Sequence, residues 1–199
     1  MSLYPPQPWN LTADARVSIW RVPAADLPTV AAEPLVIAGH ASVFTAWIDY
    51  TPPGQLAYHE LLAAVAVKGR RVSCSITEIW VDSEASLAGG RELWAIPKDL
   101  ATLDFTSGRT FTATAATTED WIATAAFRRR AGLPVRLPTS FEVVQERDGL
   151  LRTPVGAKIS PRPASADWSF NPRGPLSYLD GRRPVTSLEL PASELRFGA

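Results

Sequence analysis

Lys98 is the residue of this chain whose setting points most directly to chemistry. It closes the stretch Leu93-Trp94-Ala95-Ile96-Pro97 and is followed, after Asp99, by Leu100 and Ala101. Desolvation disfavours an ammonium ion, so an amine held among apolar groups is favoured in its neutral, nucleophilic form. The alternative is that Lys98 snorkels from an apolar loop to the surface. Lys68, Lys98 and Lys158 are the only lysines, and the other seventeen basic residues are arginine. Where arginine serves almost every surface need, each lysine is the more informative. Other chemistries have little material. A single cysteine, Cys74, rules out an internal disulfide framework and reads as a small buried hydrophobe. With only His40 and His59, a Cys/His zinc site has too few ligands, and no metal site is expected.

The elements that must position Lys98 are mostly strands. Val17 to Val22 is β-branched and aromatic, and Pro23 closes it. Leu35 to Tyr50 is a long apolar segment ended by the turn signal Thr51-Pro52-Pro53-Gly54. Leu56 to Val67 is apolar again, and Lys68-Gly69-Arg70 turns the chain into Val72 to Val81, where Val72, Cys74 and Ile76 alternate with Ser73, Ser75 and Thr77. A short helix follows, capped by Asp82 or Ser83. It ends at Gly89-Gly90 or runs only to Trp94, and the glycine pair permits positive φ or close backbone approach. Phe105 to Thr114 and Trp121 to Arg130 read as a hairpin, with turns at Ser107-Gly108 and Thr118-Glu119-Asp120. Phe141 to Glu146 and Leu150 to Ile159 pair around Asp148-Gly149. Ser160 to Pro175 is proline-rich and reads as irregular, and Val185 to Leu190 as a closing strand. The fold class is mainly β (α+β): residues 1–199 form one domain of antiparallel sheets with a barrel-like core and a few short helices.

Composition narrows the function classes. The chain has 199 residues, enough to bury roughly 70% of its unfolded surface. It carries 18 prolines, which favours short strands and ordered loops over long helices. Twenty basic and twenty acidic residues cancel, without the basic excess of a nucleic-acid binder. No apolar run approaches the ~18–20 residues of a membrane span, and the N-terminus lacks the pattern of a signal peptide. No nucleic-acid or membrane partner is expected, and a cytoplasmic location is.

The segment from Asp82 to Lys98 resembles the signature of the acetoacetate decarboxylase family, a D-x-E-A/P…G-R-E-x-x-x-x-P-K pattern. Asp82, Glu84, Gly90, Arg91, Glu92, Pro97 and Lys98 stand at the family's spacing. Weaker similarity extends back through Tyr58-His59-Glu60, which resembles the family's Y-x-E segment, to Glu33-Pro34-Leu35 and Trp20-Arg21. It covers roughly residues 15–105. The resemblance implies that Lys98 condenses with the carbonyl of a small keto acid to form an iminium ion. That ion then accepts the electron pair released when CO2 leaves. Neither metal nor organic cofactor is needed. Glu60 would orient the substrate or move a proton, and a homo-oligomer is expected.

The pattern is broken in places. The family's second lysine is Asp99 here, which would stabilise the ammonium if both side chains pointed the same way. On an extended chain they point to opposite faces. The positions of a family arginine and a further carboxylate fall at Ala13 and Thr45, and Arg16 lies out of register to replace the arginine. Trp80 and Ile96, with Leu93 and Trp94, would wall an apolar pocket suited to a hydrophobic tail or ring. Arg91 either contributes to substrate binding or holds the turn together with Glu92. His59 would face away from Glu60, and Arg128-Arg129-Arg130 reads as solvated charge at a strand end. The leading reading is decarboxylation of a β-keto acid. Two alternatives stay open: imine chemistry without CO2 loss, as in an aldolase or dehydratase, and a non-catalytic small-molecule-binding protein. A third is a subunit of a larger assembly.

Overall fold

Long runs of β-branched and small residues, punctuated by proline and glycine, build a sheet that closes on itself. The computed structural model describes residues 3–132 and 135–198. In chain order the elements are β1 (Trp9–Pro23), β2 (Val36–Ile37), β3 (His40–Thr51), β4 (Tyr58–Ala66), β5 (Ser73–Val81), helix α1 (Glu84–Trp94), β6 (Lys98–Leu100) and β7 (Thr102–Thr106). They continue with β8 (Phe111–Ala116), β9 (Trp121–Arg129), β10 (Leu137–Glu146), β11 (Leu150–Ile159), β12 (Arg162–Phe170) and β13 (Thr186–Phe197). Strands β1-β3-β4-β5-β10-β11-β13 are neighbours in that order, and β13 returns to pair with β1, closing a seven-stranded barrel. The barrel pairings are antiparallel except β5–β10. From β13 the sheet also continues through β12, β9, β8 and β7, which fold over the barrel as a second layer.

Two apolar cores follow from the pleat, because successive residues of a strand face opposite sides. Along β1, Trp9, Leu11, Ala13, Ala15 and Val17 face the barrel lumen, whereas Trp20 and Val22 face the second layer. Most of β4 and residues 45–48 of β3 are buried on both faces, so β4 reads as a near-continuous apolar run rather than as an alternation. One irregularity resets the parity. On β5, Ile76 pairs with Ala64 and Glu78 with Ala63, leaving Thr77 as the extra residue of a bulge. Cys74 and Ile76 therefore face the lumen before the bulge, and Ile79 after it.

The architecture agrees with the sequence expectation of a β barrel with little helix. The Asp148-Gly149 hairpin forms with both residues at positive φ (50° and 117°), as its two-residue turn requires. Individual elements differ. The segment Ser160 to Pro175, expected to be irregular, contains β12. Its prolines Pro161 and Pro163 cluster at the strand's start, where the missing N–H is tolerated, and β12 then pairs with β9 through Phe170. Phe105 to Thr114 divides between β7 and β8. Leu35 to Tyr50 breaks at Ala38-Gly39, both at positive φ. β1 begins eight residues before Val17, in a segment too polar on one face to stand out. The chain segment Val185 to Leu190 does close the sheet, as part of the longer β13.

Glu78, on the bulge, is largely withdrawn from water against Tyr178, whose hydroxyl donates to its Oε2 at 3.3 Å, while Thr77 donates from the side. Burial pushes its carboxyl up to about 7, against the pull of those hydrogen bonds. The Tyr178 phenol is itself pushed up by burial and stays a donor. A carboxyl whose folded-state value lies above its unfolded one stabilises the fold when protonated. The contribution is complete below about pH 4.5 and disappears as pH rises through about 7. Glu78→Gln, neutral and isosteric, is therefore expected to melt at higher temperature than the parent at pH 8 and at the same temperature at pH 4. Identical pH dependence of melting in both proteins would contradict this.

Candidate active site

Lys98 is delivered to the lumen by the end of α1. Ser83 caps the helix, its Oγ accepting from Ser86 N at 3.3 Å, while Asp82 turns aside to accept from the His59 amide at 2.8 Å. The helix ends beyond the glycine pair, at Ala95 in the left-handed region (φ 54°). Ala95 N there bonds to Arg91 O, and Ile96 N to Gly90 O. This reversal sends Pro97-Lys98 back along β5, where β6 pairs in parallel with Ile79 opposite Lys98. Arg91 Nε donates to the Lys98 carbonyl at 2.7 Å and fastens the same residue from the helix side.

The Lys98 side chain ends in a polar cluster that is almost wholly buried. Nζ donates to Glu60 Oε2 at 2.7 Å, to Ser86 Oγ at 2.8 Å and to the Tyr58 hydroxyl at 3.3 Å. Glu60 in turn accepts from Tyr50 OH on Oε1 at 3.2 Å and from Tyr58 OH on Oε2 at 3.3 Å. Lys98 is 4% exposed and Glu60 2%, so this pair has left bulk water. Tyr50 and Tyr58 are direct partners across β3 and β4, and their rings stack at 4.4 Å. Burial, and then the Glu60 charge, push both phenols well above their ordinary value, so at neutral pH they act only as neutral hydroxyls. With three donors satisfied by neighbours, Nζ is held in one place.

The cluster lies at one end of a cavity of about 890 Å³ that is the barrel lumen. Helix α1 and the side chains of Trp94 and Ile96 close that end, and the other opens at a rim that includes Lys68, Gly69 and Arg71. Between them the wall is overwhelmingly apolar, and among the described residues Glu60 and Lys98 are the charged lining residues away from the rim. Among the described residues no three of His, Cys, Asp or Glu gather as a metal-ligand group.

Of the residues singled out from sequence, Lys98, Glu60 and Ile96 meet in the lumen. Trp80 does not: after the β5 bulge it faces the second layer and packs in the outer core. Arg91 is also corrected. It lies outside the cavity, exposed, bonded to the Lys98 carbonyl and 3.7 Å from Asp99. Asp99 points to solvent, opposite to Lys98, as strand alternation requires. Ala13 lines the lumen, whereas Thr45 faces the outer core and accepts from Trp20 Nε1 at 2.9 Å. The lumen neighbours of Thr45 on its strand are Phe44 and Ala46. Arg16 also points outward, over the Phe111 ring. His59 faces away from Glu60 and sits 3.0 Å from Asp82. Cys74 lines the lumen, its thiol pushed up to about 11 by burial. Three members of the cluster escaped the sequence reading as site residues. Tyr58, two residues before Glu60 on the same strand, was legible as sharing its face. Tyr50 needs the β3–β4 register and Ser86 the helix packing, and neither carries a local signal.

Gly90 is a requirement of close approach. It has no positive φ; a Cβ there would lie 2.7 Å from Lys98 Cδ and 2.8 Å from Cε. At Gly89 a Cβ would strike the Trp9 ring at 2.4 Å. Gly90→Ala is therefore expected to push the lysine off Glu60 and Ser86. Reaction of Lys98 with an amine-directed acylating reagent, mapped by peptide mass spectrometry at pH 7, should change at least tenfold while circular dichroism shows the fold retained. Unchanged reactivity would mean that Gly90 does not set the lysine's position.

Comparison with known proteins bears on the fold and the family. Acetoacetate decarboxylase from Legionella pneumophila superposes with a TM-score of 0.74 at 18% identity, covering 100% of this chain and 88% of that one. An acetoacetate decarboxylase-like enzyme from Sphingomonas wittichii gives 0.66 at 15% identity, covering 99% and 92%. The enduracididine biosynthesis enzyme MppR, complexed with the condensation product of pyruvate and imidazole 4-carboxaldehyde, gives 0.62 at 16%, covering 98% and 88%. A search of curated proteins returned no significant match. The acetoacetate decarboxylase (ADC) family model matches residues 1–153, more than half of the sequence, and the chain belongs to that family.

Proposed function

We propose that this protein is a lysine-imine enzyme that decarboxylates a 3-oxo acid. The observation that carries the reading is the buried Lys98–Glu60 contact at 2.7 Å, opening onto an apolar lumen. Glu60 takes a proton from Nζ, and the amine attacks the substrate carbonyl carbon. The carbonyl oxygen leaves as water, its protons supplied through Glu60 and the Tyr50 and Tyr58 hydroxyls, and an iminium ion remains on Lys98. The bond to the carboxylate carbon then breaks. Its electron pair forms the enamine double bond and neutralises the iminium nitrogen as CO2 departs. The enamine carbon takes up one proton, and water hydrolyses the new iminium to release the ketone. In sum, a keto acid anion and one proton give a ketone and CO2.

The lumen suits the central step. An iminium carboxylate carries two opposite charges, and its products carry none. An apolar, water-poor surrounding stabilises the neutral enamine and CO2 relative to the charged reactant. Asp99, on solvent, leaves that balance untouched, so desolvation alone must favour the neutral amine where the family pattern has a second lysine.

A second reading has support of its own. With Ala13 at the position of the family's arginine, no arginine among the described residues lines the inner lumen to grip a carboxylate. MppR shares the fold and has been captured with a condensation product. Imine chemistry without CO2 loss would use the same lysine.

The two are separated by assaying CO2 release and aldol condensation side by side with 3-oxo acids and pyruvate. Lys98→Arg keeps a positive charge beside Glu60 but has no attacking amine, and is expected to lose all turnover while melting normally. Glu60→Gln should lower kcat by about 10²–10⁴-fold, the usual worth of a positioned general base. CO2 release surviving in Lys98→Arg would overturn both readings. Condensation without CO2 release in the parent protein would leave only the second.

A further inference from the structure

The lumen is far larger than a small keto acid needs, and its shape names a substrate class. On β4 the lumen-facing residues are Glu60, Leu62, Ala64 and Ala66, and the last of them lies beside the rim. Six residues of extended strand span roughly 20 Å. With a strand tilt of ~35–45° the lumen is then about 15 Å deep from the Glu60–Lys98 cluster to the opening. A barrel of eight strands has an interior just wide enough for side chains to fill or for one small ligand. This one has seven strands and is nonetheless open, because Ala13, Ala15, Ala46, Ala64 and Ala157 occupy wall positions where larger side chains would close it. Half-buried Val17, Phe44, Leu62, Phe141, Leu190 and Leu195 border the space they leave. Water in so apolar a channel finds few hydrogen-bond partners.

We infer that the substrate is a carbonyl compound bearing a long unbranched apolar chain, its carbonyl carbon at Lys98 and its chain extended along the lumen toward the Lys68–Arg71 rim. This rests on the imine reading above for the carbonyl, and on the lumen alone for the chain. A four-carbon keto acid would occupy only the closed end, leaving the alanine-lined channel unfilled. Each added methylene removes apolar surface from water on both ligand and wall, worth about 0.8 kcal/mol or roughly a fourfold gain in affinity. The gain must stop where the chain reaches the rim. Ala64, two strand tiers beyond Glu60 on the same wall, sets the depth at which a larger side chain would stop the chain.

The test has two arms, so that chain binding and chemistry fail separately. Titration calorimetry with alkan-2-ols from propan-2-ol to decan-2-ol reads the lumen without any imine. Affinity is expected to rise about fourfold per methylene and then level off. In Ala64→Phe, folded by circular dichroism, levelling should come several carbons earlier and the preference for decan-2-ol over butan-2-ol should fall at least tenfold. In the second arm, kcat/KM for straight-chain 3-oxo acids is expected to climb with length in the parent protein and to lose that climb in Ala64→Phe. Affinity flat from four carbons upward, or a length profile unaltered by Ala64→Phe, would overturn the inference. A rising alcohol profile with no turnover of any 3-oxo acid would uphold the chain site and count against the decarboxylase reading instead.

Discussion

The fold is organised around one electrostatic constraint: the Lys98 amine and the Glu60 carboxyl share a site withdrawn from water. Taking two ionisable groups out of solvent costs several kcal/mol each, and attraction offsets this only with good geometry and filled hydrogen bonds. Every nearby feature addresses that demand. Ser86 and Tyr58 occupy the remaining donors of Nζ, while Tyr50 and Tyr58 occupy acceptor positions of Glu60. The stacked tyrosines are supplied by two barrel strands and the serine by the helix, so the cluster exists only when barrel and helix are assembled. Gly90 then allows the helix to lie directly on the lysine's methylenes.

The barrel and the second layer divide the remaining work. Large side chains, among them Trp20, Trp47, Phe127 and Trp168, fill the outer core, and Trp168 stacks on Trp47 at 5.7 Å. The lumen wall combines alanines and medium aliphatics with a few aromatics, among them Trp9 packed on Trp94. The bulge at Thr77 links the two regions, because it decides that Ile79 rather than Trp80 faces the site.

How much of this could be read from the sequence depends on the range of each interaction. Local signals served well: the Ser83 cap, the Asp148-Gly149 turn, the segment leading to Lys98 and the opposite facing of Asp99. Glu60 was legible through its Tyr58-His59-Glu60 context. Residues fixed by register were misplaced or passed over. Trp80 reads as pocket wall from the sequence, but the β5 bulge, which carries no local signal, turns it to the outer core. Arg91 belongs to the helix's outer side, where it holds the Lys98 backbone rather than a substrate. Ser86 reaches the amine from 12 residues away in sequence and Tyr50 reaches the Glu60 carboxyl from 10, through helix docking and strand pairing that no periodicity reveals. β12 was hidden because its prolines cluster at its start. The lumen's openness is likewise a property of seven strands together.

The central claim is that Lys98 forms an imine with a carbonyl substrate, and reductive trapping tests it most directly. The folded protein is incubated at pH 6 to 9 with acetoacetate, pyruvate and longer 3-oxo acids, reduced with borohydride and mapped by peptide mass spectrometry. The account predicts a mass increase confined to the peptide carrying Lys98. After reduction the adduct should be heavier by the substrate less one oxygen atom, water having been lost and two hydrogens gained, or by the decarboxylated product less one oxygen atom where CO2 has been lost. Unmodified Lys98 with every member of the panel, or equal labelling of Lys68 and Lys158, would contradict it.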